Sequence, residues 1–123
     1  MNIGIQFVPG ALQRYATVGD WYYEPNGDLT IKVSNDDADF PTHDVQILVA
    51  LHELVEVLLC RKRGITQAQV DEWDFGKAEY AAEYGLEPGD MEGAPYRKEH
   101  RFAMLIEHLM AHEMGVAGYG RVE

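Results

Sequence analysis

Residues 48–60 read LVALHELVEVLLC, and this run decides how the chain folds. On a helical wheel at about 100° per residue, its apolar side chains cover almost the whole circumference. The ionisable side chains of His52, Glu53 and Glu56 fall together in one arc. A helix this apolar is expected at the centre of a domain, where an unpaired charge is too costly to keep. The three side chains are therefore expected either to face a cleft or to be paired with other buried polar groups. Both arrangements are typical of a catalytic or metal-binding helix.

The composition predicts an acidic, globular protein. At 123 residues the chain is long enough to bury a core, and we expect a single domain over residues 1–123. The formal net charge of −11 disfavours nucleic acids and anionic membranes as partners, because both require a basic face. We find no signal-peptide pattern and no apolar run near the roughly 20 residues of a membrane span. The lone cysteine, Cys60, allows no internal disulfide, so a cytoplasmic location is expected.

Residues 1–40 carry the pattern of a small β-sheet. Residues 3–7 alternate between apolar and small or polar side chains, which is the period of a half-buried strand. A β-branched and aromatic segment follows at residues 14–23. The sequence EPNGD at residues 24–28 is a strong turn signal, and residues 29–34 alternate again. We predict a small antiparallel sheet of about three strands.

Residues 41–115 are predicted to be helical, and residues 116–123 to form a short tail. The predicted helices span residues 44–63, 67–84 and 95–114. Thr42 or His43 lies near the cap of the first helix, and Thr66 with Gln69 forms a T-x-x-Q capping box before the second. The order of strands first and three helices afterwards predicts an α+β domain with the first helix at its centre.

The first and third helices carry candidate metal ligands. His52 and Glu56 are four residues apart, so both can reach one ion from the same helix face. A nitrogen and a carboxylate oxygen suit zinc, or manganese or iron. A third ligand has to come from elsewhere, and His100 on the third helix is the best candidate. Glu107 lies seven residues further along on the same side and is an alternative ligand.

The third helix carries a second histidine pair, which by spacing alone could also hold a metal. His108 and His112 are also four residues apart, but they share their arc with Arg101, so we expect them in solvent. The arc opposite His100 is apolar and is expected to supply the main packing of this helix. Its residues are Phe102, Leu105, Ile106 and Leu109.

The second helix contributes two aspartates three residues apart. Asp71 lies in the early turns, where the helix dipole explains a carboxylate. Asp74 lies between Trp73 and Phe75, so it is harder to explain as surface. It is an alternative third ligand, or an acceptor that orients a ligand histidine.

The sequence HELVE at residues 52–56 resembles the H-E-x-x-H signature of zincin metallopeptidases. The resemblance covers about residues 14–63 and includes a small sheet with an extended edge strand, such as residues 29–33. It implies that His52 is a zinc ligand and that Glu53 is the base that activates a metal-bound water. Glu56 stands where the family has histidine, and a carboxylate there weakens the acidification of the water. We therefore expect a metal-dependent hydrolase of peptides or small molecules.

Two further resemblances lead to other expectations. Glu53-x-x-Glu56 followed by Asp71-x-x-Asp74 looks like the paired acidic motifs of all-α MazG-type nucleotide pyrophosphatases, which implies magnesium and a triphosphate substrate. The motifs at residues 52–60, 70–74 and 94–100 also look like those of small phage and prophage proteins, which implies no activity. A non-enzymatic metal-binding or interaction protein is the third alternative. The oligomeric state stays open.

Overall fold

The computed structural model describes residues 1–116 and residue 119. Within this part of the chain, three strands precede three long helices, with one-turn 3₁₀ helices at Gly10–Leu12 and Pro88–Asp90. The strands are β1 (Ile3–Val8), β2 (Gly19–Tyr23) and β3 (Leu29–Ser34), and the helices are α1 (His43–Lys62), α2 (Gln67–Glu83) and α3 (Arg97–Glu113). The prediction of an α+β fold in this order is confirmed. Most of the predicted tail, residues 116–123, lies outside the described residues.

The sheet is mixed, with the strand order β1-β3-β2. β3 pairs antiparallel with β2 and parallel with β1, so the prediction of a wholly antiparallel sheet is wrong for one of the two pairs. The turn before Leu29, with Gly27 at φ 91°, imposes the β2–β3 hairpin. No turn joins β1 to its partner, so the sequence holds no comparable signal for its direction. Because β3 pairs with a strand on each side, it is the central strand of the sheet. The edge position that the zincin resemblance implied for residues 29–33 is wrong.

The predicted helix boundaries follow from local capping. The hydroxyl of Thr42 accepts a hydrogen bond from the backbone N–H of Val45 at the start of α1. The capping box of Thr66 and Gln69 is present at the start of α2. α1 is followed by Gly64, whose φ of 74° lies in the left-handed region that favours glycine.

α1 is the central element of the fold. It packs against β2 and β3 on one side and against α3 on the other. Its inward residues Val49, Val57 and Cys60 are almost fully buried with the apolar side chains of β3. Burial is the main cause that raises the pKa of the Cys60 thiol, and nearby carboxylates raise it further. Among the described residues, no helix is long and apolar enough to cross a membrane.

α3 packs with the face opposite to the one we predicted. The side chains expected to supply its packing are largely exposed, at 47% for Phe102, 53% for Leu105 and 56% for Leu109, while Ile106 is half-buried. The buried face carries His100 and Glu107 instead. The prediction was wrong because it assumed that apolar side chains determine the inward face. Here the polar contacts between α3 and α1 determine it.

Candidate metal centre

Three potential ligands from α1 and α3 converge on one point. His52 Nε2 lies 3.3 Å from Glu56 Oε2 and 3.1 Å from His100 Nδ1, and His100 Nδ1 lies 2.9 Å from Glu56 Oε2. Ligand atoms that share a tetrahedral zinc ion at 2.0–2.1 Å lie about 3.3 Å from each other. All three side chains are buried. The structure therefore brings His52, Glu56 and His100 together as a compact set of potential ligands.

Each of the three residues is oriented by a further contact of its second polar atom. His52 Nδ1 lies 2.7 Å from Glu107 Oε1, and His100 Nε2 lies 2.9 Å from Asp90 Oδ1. The indole N–H of Trp21 donates to Glu56 Oε1 at 3.0 Å. A carboxylate beside one ring nitrogen favours the tautomer that carries its proton there, which leaves the other nitrogen free to bind a metal.

The charges of the cluster compensate one another. Burial alone would raise the pKa of Glu56, but the contacts with His100 and His52 outweigh burial and lower it. Burial would likewise lower the pKa of His100, whereas its contacts with Asp90 and Glu56 raise it well above the usual value. Without a metal, these contacts favour an ionised Glu56 and a protonated His100. A cation bound by the three residues would keep the carboxylate and displace the His100 proton, so metal binding should release a proton.

Glu53 lies beside the ligand triangle and not in it. Its Oε2 is 3.8 Å from His52 Nε2, and its side chain lines a cavity of about 20 Å³ together with Glu56 and His100. A cavity of this size holds about one water molecule. Gly19 at the start of β2 makes room for the carboxylate, because a Cβ there would come within 3.0 Å of Glu53 Cδ and 2.7 Å of a Val49 methyl group.

Asp74 lies on another wall of the same cavity. Its two carboxylate oxygens accept hydrogen bonds from the hydroxyl groups of Tyr15 and Tyr96. Burial, and then the charge of Glu56, raise the pKa of Asp74 to about 7. Asp74 does not join the group of potential ligands, and it orients two tyrosines, not a ligand histidine. The geometry therefore favours His100 as the third ligand over Asp74, the alternative that the sequence offered.

Glu107, the other alternative ligand, takes an orienting position. It is completely buried, contacts the His52 nitrogen that faces away from the triangle and accepts a hydrogen bond from the Tyr119 hydroxyl. Predicting it on the same face as His100 was right, because a separation of seven residues keeps both on one side of the helix. The sequence could not tell a ligand from an orienting carboxylate.

The remaining candidates lie away from the centre. Asp71 binds the guanidinium group of Arg14 at 2.9 Å and does not line the cavity, so the four carboxylates of the pyrophosphatase resemblance do not converge. His112 is exposed, and His108 is half-buried with its ring against Tyr119. Neither belongs to a group of potential metal ligands among the described residues.

Sequence reasoning missed Asp90 and the orienting role of Trp21. Asp90 belongs to a 3₁₀ turn that packs tightly on the site, since a Cβ at Gly89 would come within 2.6 Å of His100 Cγ. Nothing in the sequence brings this turn to His100. Asp90 and Glu87 also form a second group of potential ligands with His100. We interpret Asp90 as the residue that orients His100, because its bond to Nε2 leaves Nδ1 for the first group.

Comparisons with models of protein families, with curated proteins and with solved structures give no match for this chain.

Proposed function

We propose that the protein is a metal-dependent hydrolase in which His52, Glu56 and His100 bind a divalent ion and Glu53 is the general base. The observation that supports this most directly is the convergence of three ligand atoms within 3.3 Å of each other. Two histidines and one glutamate with an open fourth position are a ligand set of catalytic zinc sites. Zinc is therefore the first expectation, and manganese and iron are alternatives.

The residues around the three proposed ligands have two further proposed roles, proton transfer and orientation of the ligands. An ion bound there supplies positive charge that acidifies a water molecule and polarises a carbonyl group. Glu53 is close enough to receive the proton of a water in the adjoining cavity. Glu107, Asp90 and Trp21 hold the ligand side chains in orientation. The three ligand side chains are buried, and electrostatic interactions are stronger in buried surroundings than in water.

Metal analysis of protein purified without chelator tests the ligand set. We expect about one zinc or manganese ion per chain, as in other sites with this ligand set. His100→Ala and Glu56→Ala are expected to lose the metal, whereas His112→Ala, which changes an exposed histidine of the same helix, is expected to keep it. A stoichiometry near zero after zinc or manganese is supplied would contradict the proposal.

Hydrolysis assays on a panel of amides and esters test the role of Glu53. Glu53→Gln is expected to keep the metal and to lose activity by about 10²- to 10⁴-fold, the usual contribution of a general base. Glu72→Gln, at an exposed position of α2, is the matched control. Metal binding without turnover of any substrate would point to the non-enzymatic alternative. Release of pyrophosphate from nucleoside triphosphates would instead favour the pyrophosphatase alternative.

A further inference from the structure

α3 buries a face that carries ionisable side chains and exposes an apolar face. It buries an arc that contains His100 and Glu107, and it exposes about half of each side chain in the apolar stripe formed by Phe102, Leu105 and Leu109. In a monomer this stripe would face water. An exposed row of large apolar side chains along one helix is typical of a surface that binds another protein.

The spacing of the stripe fits a second helix. Phe102, Leu105 and Leu109 follow one another at intervals of three and four residues, the spacing of a helix-packing seam. Lys98 precedes the stripe by one turn and Glu113 follows it by one turn, and both are exposed. The stripe is therefore apolar in the middle, basic at its N-terminal end and acidic at its C-terminal end.

We propose that this stripe is a self-association surface, on which α3 of a second copy of the chain packs antiparallel about a two-fold axis. Phe102 and Leu109 lie at equal distances in sequence from the midpoint between Leu105 and Ile106, and so do Lys98 and Glu113. An antiparallel second copy therefore places its Leu109 against Phe102 and its Glu113 near Lys98. A two-fold interface needs this kind of self-complementary surface.

The distribution of charge favours a second copy as the occupant. The chain carries a formal net charge of −11, so two copies can associate only where opposite charges meet across the contact. Six of the ten lysines and arginines lie at residues 61–63 and 97–101, near the N-terminal end of α3, where Arg63 binds Glu99. Within the part of the chain that the structure describes, the antiparallel arrangement brings the acidic end of the second α3, with Glu113, to this basic cluster at Lys98. The stripe lies opposite the candidate metal centre, so this inference does not depend on the proposed function.

The mass of the protein in solution, measured by sedimentation equilibrium over a range of concentrations, tests the proposal. We expect wild-type chains to form dimers. Leu105→Glu introduces a charge at the centre of the stripe and is expected to give a monomer that keeps its helical circular-dichroism spectrum, since Leu105 is already 53% exposed. Leu12→Glu, at a side chain 62% exposed outside α3, is the matched control and should stay dimeric.

Charge reversal tests the antiparallel arrangement. Lys98→Glu and Glu113→Lys are each expected to weaken the dimer by about 5-fold or more in Kd, because each change converts two symmetry-related attractions into repulsions. The double variant restores both attractions and should return close to wild-type affinity. A wild-type monomer at every concentration would overturn the proposal and leave a different protein as the occupant. A dimer that Leu105→Glu does not dissociate, or a double variant as weak as the single ones, would also overturn it.

Discussion

The substitution Glu107→Gln tests whether an orienting carboxyl group contributes to the proposed metal binding. Glu107 is completely buried, and its Oε1 lies 2.7 Å from the Nδ1 of His52. Glutamine has nearly the same shape, so the substitution leaves no cavity. It replaces the carboxyl group beside Nδ1 by a neutral amide, which should hold the ring tautomer less firmly. Loss of such an outer contact costs about 10- to 100-fold in metal affinity.

Competition with a chromophoric chelator measures this change directly. A 10- to 100-fold increase in Kd corresponds to about 1.4–2.8 kcal/mol. At a fixed free metal concentration, the stabilisation of the folded protein by metal should fall by a similar amount, because it follows the ratio of metal concentration to Kd. Thermal unfolding with and without metal therefore gives a second, independent measurement.

Glu79→Gln, at an exposed position of α2, is the matched control and should bind metal like the wild type. If Glu107→Gln binds zinc as tightly as the wild type does, Glu107 does not orient His52 towards a metal. If the variant is unstable even in chelator, the contact with His52 stabilises the metal-free fold. The thermal measurement separates these two results.

Three further substitutions address the surroundings of the ligands. Gly19→Ala places a Cβ within 3.0 Å of the Glu53 carboxyl carbon; we expect a stability loss of about 1–3 kcal/mol from overpacking and lower activity with metal retained. Burial and nearby charge raise the pKa of Asp74 from 3.8 to about 7. The folded protein thus holds this proton more tightly than the unfolded chain, and wild-type stability should fall as pH rises across that window. Asp74→Asn, measured by urea unfolding in chelator, should lack this slope. Trp21→Phe removes the indole N–H that donates to Glu56 Oε1, and it should lower the free energy of unfolding by about 1.5–3 kcal/mol.

Each of these three predictions can be contradicted by a specific result. An active Gly19→Ala variant of unchanged stability would mean that Glu53 has room to move without consequence. Equal pH dependence of Asp74→Asn and the wild type would show that the carboxyl group does not carry a proton near neutral pH. Tyr23→Phe, on the same strand as Trp21, is the control for the loss of the indole N–H. If both variants lose the same stability, the bond to Glu56 contributes nothing specific.

Local interactions explain which parts of the fold the sequence could predict. Thr66 and Gln69 determine the start of α2 by contacts within one turn, and the α2 boundaries were predicted closely. The spacing of His52 and Glu56 places them on one face of α1 in any context. The meeting of His100 with α1 is a tertiary contact. His100 was nevertheless predicted as a ligand, because it lies on the same side of α3 as Glu107.

Long-range pairing explains what the sequence could not predict. The direction of β1 depends on its register with β3, from Ile3 opposite Leu29 onward, and no turn joins them. Asp90 reaches His100 only because the chain between α2 and α3 folds back over the site. The inward face of α3 was mispredicted because the apolar periodicity of Phe102 and its neighbours outweighed a few polar side chains in the pattern, although those polar side chains form the buried contacts.

The buried thiol of Cys60 can be used to measure how often the core of the protein opens. The sequence contains one cysteine, and this cysteine is completely buried on the helix that carries His52 and Glu56. A thiol-labelling reagent can react only when α1 separates from its neighbours, so the labelling rate measures how often the core opens. If the opening of α1 also releases a bound metal, added metal is expected to make that opening rarer. The labelling rate of a single sulfur atom, measured with and without added metal, can therefore test whether the candidate centre binds metal, without a substrate.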